Sequence, residues 1–457
     1  MSSINLERVC DATADSGYSK KWTFSAWVKR GLISTEQGLF ANKRTDNNTN
    51  SRFRFRIKDT DKLCWEIKDS TGNDDSSFET NMLLRDSGAW YHIVFIYDSD
   101  NSTESDRMKC YINGKDVRTE LGGFSSINEV GSGFGTLWSS SVKNYIGVSH
   151  DNSGNPYRWD GLMSHVHFTY GYRYEASTFG STDATTGEWK INTNPSVTYG
   201  SQGFWLFKDN ASVTDQSGQS NNYTLNAGTL TFTHDNPSNV FCNLNQNTSK
   251  NKPTLSLGNT KTGSSSDGHY VFGTQASKAG YYEIKLGQNP DGGSGSGLTF
   301  GTYDANFDDT QTNATNVRMY KTNHAYSASY SIDVGNGAGT NTSVSAAAGD
   351  IINVAWKNGK LYCGKNGTYF FSANPSNNTD GSTQVPLEDS NAYQLPISKS
   401  NVDGMTNSEW NFGNGYFGTT AITSNSGNGY QDANGQGKFQ YQPPTGCYAL
   451  CTKNLNV

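Results

Sequence analysis

The stretch from Gly349 to Phe371 constrains the fold more than any other: Gly-Asp-Ile-Ile-Asn-Val-Ala-Trp-Lys-Asn-Gly-Lys-Leu-Tyr-Cys-Gly-Lys-Asn-Gly-Thr-Tyr-Phe-Phe. It carries two hairpin signals in succession. Asn358-Gly359 predicts a two-residue type I′ turn, because both positions tolerate positive φ. Lys365-Asn366-Gly367 has the same turn chemistry. The first turn sets the register, so that Trp356 faces Leu361 and Val354 faces Cys363. Those four residues share one apolar face, and Lys357, Lys360 and Tyr362 point the other way. A chain that doubles back twice so quickly is building an antiparallel sheet.

The rest of the sequence extends this reading. Aromatic residues make up 12 % of the chain and glycines number 49, while only 17 % of residues are charged. Aromatic and β-branched runs separated by Gly, Asn, Asp and Ser clusters predict short strands and tight turns. No helix-period apolar pattern of ten or more residues occurs, so the fold class is all-β. At 457 residues one core is not enough. We expect two β-sandwiches, residues 1–175 and 263–457, joined by a structured strand-and-loop connector over 176–262.

Within the first sandwich, Arg52-Phe-Arg-Phe-Arg-Ile-Lys58 alternates with Phe53, Phe55 and Ile57 inward and three arginines outward. Leu63, Trp65 and Ile67 repeat the pattern, which is that of a sheet with one solvated face. Trp90-Tyr-His-Ile-Val-Phe-Ile-Tyr97 is apolar enough for a central strand. Asn113-Gly114 predicts another I′ turn. In the connector, Phe204, Trp205 and Phe207 are too apolar for a floppy linker. They are candidates for an inter-subunit or inter-domain surface.

The 36 basic and 42 acidic residues are interspersed, net −6, without a basic stripe along the chain. Nucleic acid is therefore not an expected partner. No apolar run approaches the ~20 residues that cross a bilayer, and Met1 to Cys10 lack a basic-then-apolar leader pattern. Seven scattered cysteines make a poor disulfide framework, and we expect free thiols in a chain made in a reducing cytoplasm.

Candidate chemistry is sparse. His165 and His167 lie two apart on one strand and share a face. Without a third ligand they read as surface histidines rather than metal ligands. Asp98, Asp100 and Asp106 lie in an acidic loop whose alternating oxygens suit calcium. The EF-hand pattern fails there, because Ser102 and Thr103 stand at its fifth and sixth positions, so a solvated hairpin loop is the reading adopted and no cofactor is expected. Trp138, Tyr157 and Tyr326 lie in Gly/Ser/Asn-rich surroundings and are candidates for stacking on sugar faces, with core packing as the competing role. The Glu-x-Asp-x-x-Glu spacing of jelly-roll glycosidases is absent, as is a G-x-S-x-G elbow. Glu66 and Glu283 occupy positions of alternating strands that belong to solvent. These observations argue against an enzyme.

Two resemblances follow from motif order. Trp22-x-Phe-Ser-x-Trp-Val28, Trp90-Tyr-His-Ile-Val94, Tyr111-Ile-Asn-Gly114 and Asp160-Gly-x-x-x-x-Val166 resemble the LamG, or concanavalin A-like, jelly roll. Gly280-Tyr-Tyr-Glu-Ile284, Gly297-x-x-Phe-Gly301, the Gly349 core and Asn411-Phe-Gly413 resemble SPRY domains, which are sandwiches that bind partners. The full layout is similar to virion proteins of tailed bacteriophages, especially those of marine bacteria. The shared connector motifs are Phe179-Gly-x-Thr-Asp183, Asp215-x-Ser-Gly-x-x-Asn-Asn222 and Asn239-x-Phe-Cys-x-Leu-Asn245. The tail matches at Pro443-Pro-x-Gly446 and Ala449-Leu-Cys-Thr-x-Asn-Leu455, except that Cys447 stands where an aromatic is usual. The resemblance implies a non-enzymatic virion component on a tail fibre, tail knob or capsid decoration. It would be a homo-oligomer docked to other virion proteins, meeting a host-surface glycan or protein and inserting into no membrane. A bacterial surface adhesin and a glycan-degrading enzyme are the alternatives.

Overall fold

A computed structural model describes residues 4–10, 18–44, 52–68, 74–138, 142–150, 155–208, 212–247, 253–263, 269–288, 297–304, 317–323, 329–334, 340–343, 346–379, 385–386, 393–401 and 406–455. The chain divides into two compact units, Met1–Phe232 and Thr233–Val457. The described residues are almost entirely strand, turn and loop. Their one α-helix is the single turn Val117–Glu120.

In the first unit, two antiparallel sheets enclose the core, as alternation requires. The larger runs in the order Phe124–Asn128, Asp74–Leu83, Lys62–Lys68, Arg52–Ile57, Gln37–Arg44, Val142–Ile146, Asn5–Val9 and Thr224–Ala227. The smaller runs Lys115–Asp116, Met108–Ile112, Trp90–Asp98, Lys21–Arg30, Gly161–Tyr170 and Phe204–Leu206. Between them Trp22 stacks on Tyr97 at 5.2 Å and touches Phe53, Trp65, Phe95 and Phe168. Such offset and edge contacts add to the burial of large rings.

The smaller sheet is buried on both faces. Val94 and Ile96 point away from the core and pack against Ala176 and Phe179, with Tyr174, Trp189 and Val197 around them. The segment that follows the Gly161–Tyr170 strand therefore lies over this sheet as a cover. The expected connector is thus divided between the units. Phe204–Leu206 pairs with Gly161–Tyr170 as an edge strand of the first, and Phe241, Cys242 and Leu244 belong to the cores of the second.

The second unit also pairs a larger sheet with a six-stranded one. The larger runs Leu255–Ser256, Lys261–Thr262, Glu409–Asn411, Gly280–Lys285, Ile351–Lys357, Lys360–Lys365 and Thr368–Tyr369, with Val385–Pro386 also paired to Lys360–Lys365. The turn-derived register holds: Trp356 pairs with Leu361 and Val354 with Cys363. Asn358 and Gly359 have φ of 49° and 73°, and Asn366 and Gly367 have 51° and 83°. The opposite face of this hairpin is not solvated as expected. Ala355 and Tyr362 are buried with Tyr281 beneath Phe439, Cys447, Ala449 and Cys451 of the C-terminal tail. Lys357 donates to the carbonyls of Ser376 (3.0 Å) and Thr445 (2.7 Å).

Candidate functional site

Alternation places Arg54, Arg56, Cys64, Glu66, Ser77 and Glu79 on the face of the first unit's larger sheet that points away from the core. Register then makes them neighbours: Arg54 pairs with Glu66, Arg56 with Cys64, and Cys64 with Glu79. Glu66 is clamped by two arginines. Arg54 Nε donates to its Oε1 at 2.7 Å, and Arg56 Nη2 lies 2.9 Å from Oε2. Arg56 also meets Glu36 at 2.9 Å. One strand further, Glu79 bridges Lys58 (2.7 Å) and Lys62 (3.2 Å), and Lys62 donates to Ser125 Oγ at 3.0 Å.

Burial works to raise the Glu66 carboxyl, but Arg56 and Arg54 outweigh it and hold it below its ordinary value. Lys58 and Lys62 do the same for Glu79 against a smaller burial cost. Both groups are ionised acceptors at neutral pH, and neither has the raised affinity for a proton that a glycosidase acid needs. Cys64 is inert for the opposite reason, since burial pushes its thiol up to about 11.

A hairpin of Val148–His150 and Pro156–Arg158 lies against this face. Its footing is small: a Cβ at Gly38 would run into the Ser149 backbone, and Ala41 packs on Val148 and Tyr145. Arg54 Nη1 donates to the His150 carbonyl at 3.2 Å, tying the hairpin to the charged floor. The result is a polar platform with one raised edge, whose centre at Arg54, Arg56 and Glu66 is buried rather than solvated as alternation had suggested, and whose half-buried side at Lys58, Lys62 and Glu79 offers charged hydrogen-bonding groups.

The register also builds what the linear sequence lacks. Lys143 pairs with Lys43, Lys43 with Arg52, and Arg52 with Lys68. Four basic positions thus form a row across four adjacent strands of the same face.

Three other polar clusters are buried and structural. Ser25 Oγ and His92 Nε2 are 2.9 Å apart, a spacing seen in nucleophile–base pairs. Here Trp189 Nε1 donates to His92 Nδ1 at 2.9 Å. The proton must then be on Nε2, which donates to Ser25 and cannot accept from it. Burial pushes His92 down to about 3, so the pair is structural.

His165 and His167 are a correction to the expected surface histidines. Both are buried. His167 Nδ1 bonds the Tyr199 hydroxyl at 2.9 Å, and its ring packs on Trp205 at 4.7 Å. The cover lies over the face that alternation had assigned to water. His165 adopts φ 48° where the register with Lys21–Arg30 shifts.

Glu283, also expected in solvent, is 0 % exposed. It accepts from Tyr281 OH, Tyr441 N, Asn411 Nδ2 and Gln440 N at 2.8–3.0 Å. Burial pushes it up to about 7 against the pull of those donors. Its four partners anchor the tail, and no room remains for a substrate. Glu66, at 7 % exposure, is a milder case of the same correction.

Of the other sequence candidates, only Tyr157 belongs to the platform, half-buried on the hairpin and paired with Ser149. Trp138 is 0 % exposed. It stacks on Phe168 at 4.7 Å, and its indole donates to Thr136 Oγ1 at 2.8 Å, so it is core and not a sugar platform. Tyr326 lies outside the described residues. Phe204 packs on Phe40, Phe168 and Tyr223, and Trp205 on the histidines. Neither offers a face to another chain, while Phe207 is half-buried against the same core.

The acidic loop holds its charges apart. Asp98 lies 3.6 Å from both Lys21 and Arg173, Asp100 3.4 Å from Lys20, and Asp106 3.1 Å from Lys109. Among the described residues, no three His, Cys, Asp or Glu side chains gather where they would hold a metal ion. The platform itself was half legible. The outward arginines are plain from alternation, but the pairing that makes Glu66 their clamp needs the register.

Residues 9–177 match a laminin G family described as the concanavalin A-like lectin/glucanases superfamily, so this part of the chain is a LamG-type domain. No curated protein matches the chain. Among solved structures, the mouse laminin alpha1 chain, domains LG4-5, is 10 % identical. The match covers 87 % of this chain and 80 % of that one, with a TM-score of 0.28. The native heptameric SAP-like pentraxin of Limulus polyphemus is 14 % identical over 43 % of this chain and 89 % of its own, TM-score 0.29. The SPRY domain of human HERC1 is 14 % identical over 33 % and 85 %, TM-score 0.22. These are remote likenesses. Among the described residues no helix is long and apolar enough to cross a membrane.

Proposed function

We propose that this chain is a non-catalytic adhesion protein of a phage particle, on a tail fibre, tail knob or capsid decoration, and that its first unit binds glycans on the outer face of the larger sheet. The observation that carries the reading is the match of residues 9–177 to a superfamily of lectins and glucanases. Within that pair, the clamped carboxylates favour lectin. Glu66 and Glu79 are each held ionised between two cations, whereas hydrolysis needs a carboxylic acid that gives up its proton.

The particle context rests on the motif order of the connector and tail. Repetition of the subunit on the particle, beside other virion proteins, would let weak single-site contacts add through multivalency. A glycan array probed with the intact chain tests the first part: capture without product release supports it, and released oligosaccharide refutes it. Immunogold electron microscopy of the particle tests the second.

A further inference from the structure

We infer that Asn358 is a covalent modification site: its side chain cyclises onto the backbone nitrogen of Gly359, and the ring then takes up water to leave aspartate or isoaspartate at the tip of the hairpin. In the first step the bond from Gly359 N to Asn358 Cγ forms, the Cγ–Nδ2 bond breaks, and ammonia leaves with the proton of the Gly359 N–H. In the second, water opens the succinimide at either of its carbonyls. Water is the one co-reactant. Attack is least hindered where the next residue is glycine, which has no side chain beside the nitrogen.

Seven Asn-Gly pairs occur in the sequence, and six of them lie among the described residues. The fold restrains five of the six. Four keep the attacking N–H in a hydrogen bond. Gly367 donates to Asn353 Oδ1 at 2.8 Å and Gly415 to Asn411 Oδ1 at 3.2 Å. Gly429 donates to the Ser424 carbonyl and Gly435 to the Asp432 carbonyl, each at 3.0 Å. The fifth, Asn113-Gly114, is held through its side chain. Asn113 Oδ1 accepts from His92 N at 2.8 Å, and the Trp189 ring lies against Gly114, where a Cβ would run into it.

Asn358 differs on each count. It is exposed. Among the described residues, the Gly359 N–H meets no acceptor. The side chain makes one contact, Nδ2 to Asn378 Oδ1 at 3.5 Å, the outer limit of a hydrogen bond. Each bond that must break before attack slows it by about fivefold, and at Asn358 there is almost nothing to break. The consequence is local. Isoaspartate adds one backbone atom to a two-residue turn, and that turn sets the pairing of Trp356 with Leu361.

The test incubates the intact chain in mildly alkaline buffer, once folded and once unfolded in denaturant. Peptide mapping follows the gain of one mass unit at each Asn-Gly pair and separates the aspartate and isoaspartate forms. In the folded chain we expect Asn358 to convert about fivefold or more faster than the five restrained sites. In the unfolded chain all six should convert at similar rates. Asn358→Gly, which suits the positive φ of the turn, should remove the modification and, with it, any loss of hydrogen-exchange protection over residues 351–365 on ageing. Another of the six pairs converting as fast as Asn358 in the folded chain overturns the inference. So does an Asn358 that stays intact in the folded chain while the unfolded chain converts. Equal loss of protection in the aged parent and aged Asn358→Gly overturns the link to the hairpin register.

Discussion

Trp356 and Gly280 face each other across two strands of the second unit, and their packing sets up a double-mutant cycle with a definite sign. Trp356 is fully buried, donates its indole N–H to the Ser277 carbonyl at 3.0 Å, and meets Tyr282 edge-on at 6.1 Å. Gly280 lies directly under the indole, and a Cβ there would run into the ring. Trp356→Ala removes the ring and its hydrogen bond, and should cost ~3–5 kcal/mol. Gly280→Ala alone forces a methyl group into a ring that cannot move, and should cost ~1–3 kcal/mol by overpacking. Its φ is not in the left-handed region, so the backbone adds no strain.

Together the two substitutions should not add. With the ring gone, the new methyl fills part of the void, worth ~0.8 kcal/mol, and alanine restricts the unfolded chain more than glycine, worth ~0.4–1 kcal/mol. The double variant should therefore be about as stable as Trp356→Ala or slightly better, with a coupling energy of ~2–4 kcal/mol. Denaturant titration of the intact chain, with hydrogen exchange of peptides spanning residues 351–365 to isolate the second unit, measures all four corners. Additive losses would refute the packing of Trp356 over Gly280. An unchanged midpoint for Trp356→Ala would refute the hairpin register itself.

Removing Glu66 by Glu66→Ala leaves Arg54 and Arg56 facing each other, and should destabilise the first unit by ~3 kcal/mol, the low end for breaking a buried pair; thermal melts of the intact chain at neutral pH check this. Because Glu66 and Glu79 titrate below their unfolded values, the stability they contribute is present above pH ~4.5 and is lost as pH falls through their folded values. His92 and His167 are depressed by burial, so the stability from keeping them neutral is complete above the unfolded value of ~6.5 and declines below it. Each costs up to ~1.4 kcal/mol per pH unit, and His92→Gln should flatten the melting-temperature profile between pH 6.5 and 4 by about one proton. All seven cysteines are buried free thiols. Mass spectrometry after alkylation under native conditions should find them unmodified and after denaturation find seven adducts, and a deficit in the second count would reveal a disulfide.

Much of this architecture is written in short-range signals. Period-two alternation in Arg52 to Lys58 and Leu63 to Lys68 fixes which residues face the core, because successive side chains on a strand must point oppositely. Asn358-Gly359 fixes the Trp356–Leu361 pairing, because a two-residue turn leaves one register open. The motif order from Trp22 to Val166 carries the LamG domain. What alternation cannot say is whether an outward face meets water. His167, Tyr362 and Glu283 all occupy outward positions, and all are buried, because the cover over the smaller sheet of the first unit and the tail over the larger sheet of the second close those faces from far along the chain. Trp138 lies among turn residues yet fills the core, because a loop can deliver an aromatic between sheets as well as a strand can. The basic row is the sharpest case. Lys43, Arg52, Lys68 and Lys143 are scattered along the sequence, and charge composition along the chain hides them. Only the hydrogen-bond register of four strands, set by long-range pairing, brings them side by side.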